Sequence, residues 1–405
     1  MISSLPTEIN MDRKVLRIGT RESQLAVWQA NTVKNLLAEN GFESELVYIK
    51  SEGDLDLKTP LYEMGVQGIF TRTLDIALLN NNIDIAVHSM KDVPTKLPGE
   101  IIQAAVLKRA SYKDLLVFQG ERQEVEEGLG MVNGHWSIVN NAETGNGQLA
   151  MYNKAETLPV NSELSVVSQN KRDITQLIPH YSPRTTHNSQ LTTHHSPFTT
   201  HNSPLTTHNS PLTTHNSPFT IATSSVRRKA QWLNRYPHHH LENLRGNVNT
   251  RLRKVEQSNW NGAIFAAAGL ERIGLRPENS IELDWMLPAP AQGAIMVVCK
   301  ENDAFSFEAC INFNDEETAF CTQLEKDFLR QLMGGCSTPV SALAQITNGQ
   351  LTFKGNIFSL DGSLRVDVEK RAEATSSANL GLEAATELLE NGGREIFESI
   401  HHEKF

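Results

Sequence analysis

Short runs of consecutive apolar residues alternate along this chain with stretches whose apolar positions recur every three or four residues. That alternation predicts strands and helices in turn. Val15–Gly19 reads as a strand. Ser23 then caps a helix reaching about Glu39, with Leu25, Val27, Trp28, Val33 and Leu36 available to its buried side. Glu45–Lys50 is a second strand, Phe70–Leu79 a helix, and Ile83–His88 a strand apolar enough to be covered on both faces. The rhythm resumes after a long interruption, with strand Thr220–Thr223, helix Ser225–Arg235, strand Leu241–Leu244, helix Val248–Gln257 and strand Gly262–Ala267. Two open α/β lobes follow from this pattern, with ligands favoured where strands end. From Glu316 the grammar becomes helix (Thr318–Leu332), three strands (Pro339–Ile346, Leu351–Ser359, Leu364–Ala374) and helix (Ala378–Ile400), a separate α+β domain.

The interruption runs from about 119 to 219. It ends in five seven-residue units, TTHNSQL, TTHHSPF, TTHNSPL, TTHNSPL and TTHNSPF, spanning Thr185–Phe219. One Leu or Phe per unit, with a recurring Pro, excludes a coiled coil. The reading is a disordered insertion within the second lobe. The expected organisation is a first lobe of 14–110 plus 292–312, a second of 111–290 with that insertion, and a C-terminal domain of 316–405.

Length and charge bound the function. At roughly 150 residues per domain, 405 residues suggest two or three domains. Lys plus Arg (37) against Asp plus Glu (47) gives −10, which disfavours a general nucleic-acid or anionic-membrane binder. No apolar run approaches the roughly 20 residues of a membrane span, and Met1–Lys14 has no apolar signal core. A cytoplasmic protein is expected. Cys299, Cys310, Cys321 and Cys336 lack C-x-x-C spacing, so neither a metal site nor a disulfide framework is expected.

Chemistry-bearing residues gather at predicted strand ends. Arg21 and Ser23 stand at a helix N-terminus, where backbone N–H groups and the helix dipole favour an anion. The apolar strand ending at His88 empties into Ser89, Lys91 and Asp92 before Pro94 stops it. Thr223 and Ser224 precede Arg227 and Arg228 in the first turn of a helix, where cations oppose the dipole and call for a nearby anion. Arg245, Arg251 and Arg272 occupy comparable places. Six arginines so placed in an acidic protein point to a carboxylate-rich or phosphate-rich ligand. Cys336, in Gly334-Gly335-Cys336-Ser337-Thr338-Pro339, lies in a tight loop suited to presenting a thiolate as a covalent tether.

The segments LRIGTRESQLAVWQA, DIAVHSMKDVPT, TSSVRRKAQ, LRGNVNTRL, AAAGLERIGL, LPAPAQGA and GGCSTPV, in this order, resemble those of the porphobilinogen deaminase (hydroxymethylbilane synthase) family. The resemblance covers about 300 residues, nearly everything outside the insertion. It implies two lobes like type II periplasmic binding proteins plus a C-terminal α+β domain. It also implies a monomeric enzyme that joins four porphobilinogen molecules head to tail, releasing ammonia each time, and hydrolyses off hydroxymethylbilane for tetrapyrrole synthesis.

By the same resemblance, a dipyrromethane cofactor is bound through a thioether to Cys336, and Asp92 is the catalytic carboxylate. Arg21, Ser23, Ser89, Lys91, Thr223, Ser224, Arg227, Arg228, Arg245, Arg251 and Arg272 match positions that hold acetate and propionate groups. An aspartate suits the chemistry, because loss of the aminomethyl nitrogen leaves an azafulvene cation that a carboxylate stabilises. Gln292 matches the crossover between the lobes. Glu63 and Gln67 stand where many relatives carry lysines, in a loop expected to cover the cleft. Two other readings remain open on the residues, a non-catalytic anion- or solute-binding protein and an inactive paralogue.

Overall fold

The computed structural model describes residues 15–50, 71–132, 135–136, 218–332 and 338–402. In chain order, the first lobe opens with β1 (Leu16–Thr20), α1 (Gln24–Glu39), β2 (Ser44–Tyr48), α2 (Arg72–Leu79), β3 (Ile85–Ser89) and β4 (Ile101–Leu107). The second holds β5 (Asp114–Phe118), α3 (Arg122–Gly128), a ribbon of β6 (Met131–Val132) and β7 (His135–Trp136), β8 (Thr220–Ala222), α4 (Val226–Arg235), β9 (His240–Glu242), α5 (Val248–Glu256), β10 (Gly262–Ala266), α6 (Ala267–Glu271) and β11 (Ser280–Glu282). The chain then returns to the first lobe with β12 (Ile295–Lys300) and α7 (Ala304–Ile311). The last domain is α8 (Glu316–Gln331), β13 (Val340–Thr347), β14 (Gln350–Phe358), β15 (Arg365–Glu373), α9 (Leu380–Leu388) and α10 (Arg394–His402).

The two larger sheets repeat one topology. The first is ordered β2-β1-β3-β12-β4 and the second β9-β8-β10-β5-β11. In each, one strand (β1 or β8) lies parallel to both its neighbours, and the strand that follows a crossover (β12 or β5) is inserted antiparallel before the edge. Two crossovers therefore join the lobes, and they are pinned together. Ala110 N–H donates to Gly293 O (3.1 Å), Arg109 Nε to Gln292 O (2.8 Å) and Gln292 Nε2 to Tyr112 O (2.8 Å).

The third sheet is an antiparallel meander, β13-β14-β15. It buries Leu351, Phe353 and Ile357 against Phe328 of α8, Leu388 of α9 and Ile396 and Ile400 of α10.

Several elements depart from the expectation. Of the apolar α1 residues expected inside, Val33 is fully buried. Trp28 is exposed, and the inward stripe is Ala26, Gln29, Ala30, Val33 and Leu37. The face is turned because Gln29 has a polar partner inside, Ser89. The single helix expected over Ala378–Ile400 is two helices, broken where Gly392 takes φ 102°. The ordered fold also runs past Gln119, since Val125, Leu129 and Met131 pack with Leu116, Phe118 and Ile221. The sequence signal faded there because α3 is short and mostly charged. The TTHNSPL-type repeats before Ser217, and the loop with Glu63 and Gln67, lie outside the described residues.

Candidate active site

Strand ends from both large sheets meet at one cleft. From the first lobe come Arg21 and Ser23, where β1 passes into α1, and Ser89, Lys91 and Asp92, where β3 ends in a single helical turn. From the second come Arg228 in the first turn of α4, Arg245 before α5 and Arg251 on α5. Phe265, Ala266, Gly269 and Leu270 supply apolar surface. Ser23 caps α1, its Oγ accepting from Ala26 N–H (3.4 Å), and Asn247 caps α5, accepting from Thr250 N–H (2.9 Å). Two capped helix starts thus aim their N–H groups into a cleft of cations. Across its mouth Asn249 Nδ2 donates to Gln24 Oε1 (2.8 Å).

Among the described lining residues, Arg21, Lys91, Arg228, Arg245 and Arg251 bring positive charge and Asp92 alone is acidic. Burial, with the neighbouring charges, shifts two of these groups. Desolvation pushes Lys91 down to about 8, with Asp92 opposing and Arg228 adding. Arg251 is pushed down to about 10, first by burial and then by Arg228 and Arg245. Cations held against one another in a partly dry cleft are stabilised when an anion enters.

The anion called for by the paired arginines of α4 is supplied within the chain. Asp114, fully buried at the start of β5, accepts from Arg227 Nη2 (2.6 Å), from Arg228 Nη2 (2.7 Å) and Nε (3.2 Å), and from Gln292 Nε2 (2.9 Å). Burial opposes its ionisation, but Arg227 and Arg228 outweigh that and hold its pKa well below the usual carboxylate range. Arg227, which also donates to Leu287 O (2.6 Å), is a structural ion-pair partner and does not line the cleft.

Three more expected residues lie beside the cleft and not on its wall. Thr223 Oγ1 accepts from Ser225 N–H, Ser224 Oγ accepts from Leu244 N–H, and Arg272 donates to Gly293 O (2.6 Å) while lying over the Trp28 ring. Cys336 lies outside the described residues.

Sequence reasoning missed Asp114, Gln24, Asn249 and Lys326. Asp114 left one sign, a carboxylate opening an otherwise apolar strand. Lys326 reads as one more polar residue on an amphipathic helix, yet it is buried and its Nζ donates to Val93 O (3.0 Å), one residue beyond Asp92.

Fold and site together define a two-lobed α/β protein with a cation-lined cleft between the carboxyl ends of two sheets of the same topology, with a third domain attached. The family model described as porphobilinogen deaminase, dipyromethane cofactor binding domain, matches residues 16–134 and 181–308. The one described as porphobilinogen deaminase, C-terminal domain, matches 319–390. A porphobilinogen deaminase of Pelobacter propionicus is 31% identical over 395 residues, covering 96% of this chain and 99% of that one. The chain belongs to the porphobilinogen deaminase family. Among solved structures it is similar to the methionine-binding protein MetQ (9% identity, 76% of this chain and 93% of that one, TM-score 0.35). It is also similar to the ancestral amino acid-binding protein AncCDT-1 (10%, 75% and 89%, TM-score 0.29). The duplicated topology, and not these distant likenesses, carries the fold assignment.

Proposed function

We propose that this chain is a transferase that condenses four porphobilinogen molecules head to tail, releases one ammonia per addition and hydrolyses the product to hydroxymethylbilane. The observation that carries the reading is the meeting of one carboxylate, Asp92, with five cations from two lobes in a single cleft. Each pyrrole unit brings two carboxylates, so a growing chain needs such a set of cations.

A dipyrromethane group fits these residues, because the cleft brings five cationic side chains to one carboxylate and burial already disfavours the charged forms of Lys91 and Arg251. Bound through Cys336, it would supply the pyrrole carbon to which the first unit is joined. Arg21, Arg228, Arg245, Arg251 and Lys91 would hold carboxylates, with Ser23 and Ser89 adding hydroxyl contacts. Asp92 faces the positive charge that develops on the incoming ring as its C–N bond breaks, and it accepts a pyrrole N–H. Thr223, Ser224, Arg227 and Arg272 then act by holding that wall in place. We assign the lobes to 14–110 plus 292–312 and 111–290, the third domain to 316–405, and the protein to a cytoplasmic monomer.

The test is the intact mass of protein made in a porphobilinogen-producing host, with and without Cys336→Ser, beside a pyrrole-reactive colour assay. An adduct lost in the variant, together with turnover, is expected. A bare mass and no colour would overturn the reading, and an adduct without turnover would favour an inactive paralogue.

A further inference from the structure

We propose that Lys326 is a positioning residue for Asp92, reaching from the C-terminal domain to fix the turn that presents the carboxylate and to place a positive charge behind it. This rests on the reading of the cleft given above. The turn is held on two sides. Met90 N–H donates to Ala294 O (3.0 Å) on the crossover, and Val93 O accepts from Lys326 Nζ (3.0 Å). Within it Val93 N–H returns to Met90 O (3.2 Å), so a pull on the Val93 carbonyl is felt at Asp92.

The helix carrying Lys326 cannot slide away. Asp315 N–H donates to Val106 O, Thr318 Oγ1 accepts from Arg109 N–H, and Glu325 pairs with the Arg109 guanidinium. The same helix ends at Gln331, five positions before Cys336 in the sequence.

A buried ammonium is costly where a Met or Leu would pack freely, unless its charge has a use. Among the described residues, Lys326 donates to one acceptor and forms no ion pair. The titratable groups that face it are Asp92, and His88 on β3. On its own helix the neighbouring acids are engaged elsewhere, Glu325 with Arg109 and Asp327 with Arg330. Burial pushes Lys326 down to about 8, with Asp92 opposing. Its charge therefore lies behind the turn that presents Asp92, on the side away from the cleft cations.

The test compares Lys326→Met and Lys326→Arg in the full chain, measuring intact mass, melting temperature, and kcat and KM across about pH 6 to 9. The Met variant is expected to keep the adduct and fold and to hold KM within about threefold. Its kcat should fall by about 10-fold or more, so that the loss is in kcat and not in KM. The Arg variant should recover most of the rate. A Met variant with the parental kcat, or one whose loss lies in KM, overturns the proposal. So do equal losses in both variants that follow melting temperature or adduct loss. A parent chain without adduct or turnover would instead overturn the functional reading.

Discussion

Arg109 and Glu325, 216 positions apart, form a two-pronged ion pair (Nη1–Oε1 2.6 Å, Nη2–Oε2 3.0 Å) that bolts the first crossover to α8. Glu325 is wholly buried and also accepts N–H groups from Ala291 (2.6 Å) on the second crossover and Ala344 (2.8 Å) on β13. One carboxylate thus ties both crossovers to the third domain. Arg109→Ala leaves it buried without its cation, which costs about 3–5 kcal/mol. Denaturant unfolding near neutral pH measures the loss, and a change below about 1 kcal/mol would contradict this account.

Acid should weaken the fold in two stages. His88 is held neutral, because burial, then Arg21 and Lys326, push its pKa from 6.5 down to about 3. A base with a depressed folded pKa takes its proton first in the unfolded chain. Its contribution is therefore complete above 6.5 and drains as pH falls toward 3, by up to about 1.4 kcal/mol per pH unit. Asp114, also depressed, contributes fully above the usual carboxylate value of about 4 and loses its share below that. The slope of urea midpoint against pH tests the assignment. His88→Gln should flatten the slope above about pH 4 and leave the steeper loss below it, and parallel slopes would refute it.

Much of this was legible because strands covered on both faces leave unbroken apolar runs, and ligand residues sit just past them. Arg21, Ser89, Lys91 and Asp92 were marked by the ends of β1 and β3, and Arg228, Arg245 and Arg251 by helix starts in the second lobe. What the sequence hid depends on distance along the chain. Nothing local says that Arg227 turns to Asp114, 113 positions away, rather than to a ligand. Nothing local says that Lys326 crosses to Val93, 233 positions away. Gln29 shows the same limit from inside a helix, since its burial follows from Ser89 and not from its own polarity.

Gly293 should tolerate no side chain. It takes φ 89°, and a Cβ there would lie 2.8 Å from both Ala110 O and Ser111 O, where the crossovers touch. Gly274 provides a control, with φ 65° and open space around it. Gly274→Ala should cost about 1 kcal/mol from backbone strain alone. Gly293→Ala should cost distinctly more and separate the crossovers. Comparing their melting temperatures isolates the close approach, and equal losses would show that the contact carries no energy.

The fold also sets where the insertion can be cut. Phe219, the last residue of the repeats, stacks on His239 (ring centroids 5.3 Å) and fills the space over Gly128, where a Cβ would meet its ring at 2.3 Å. On the other side Val125, Leu129 and Met131 are already in the same core. Deleting Asn161–Ser217 and closing with a short linker spares both anchors. Loop closure depends on length only logarithmically, so stability should change by about 0.6 kcal/mol for each halving of the loop. Adduct mass, turnover and melting temperature should stay close to those of the full chain. Phe219→Ala removes the anchor and should cost roughly 2–3 kcal/mol, below the full-burial value because its ring is only partly covered. Loss of soluble, cofactor-loaded protein on the deletion, with Phe219→Ala harmless, would reverse the assignment and make the repeats part of the fold.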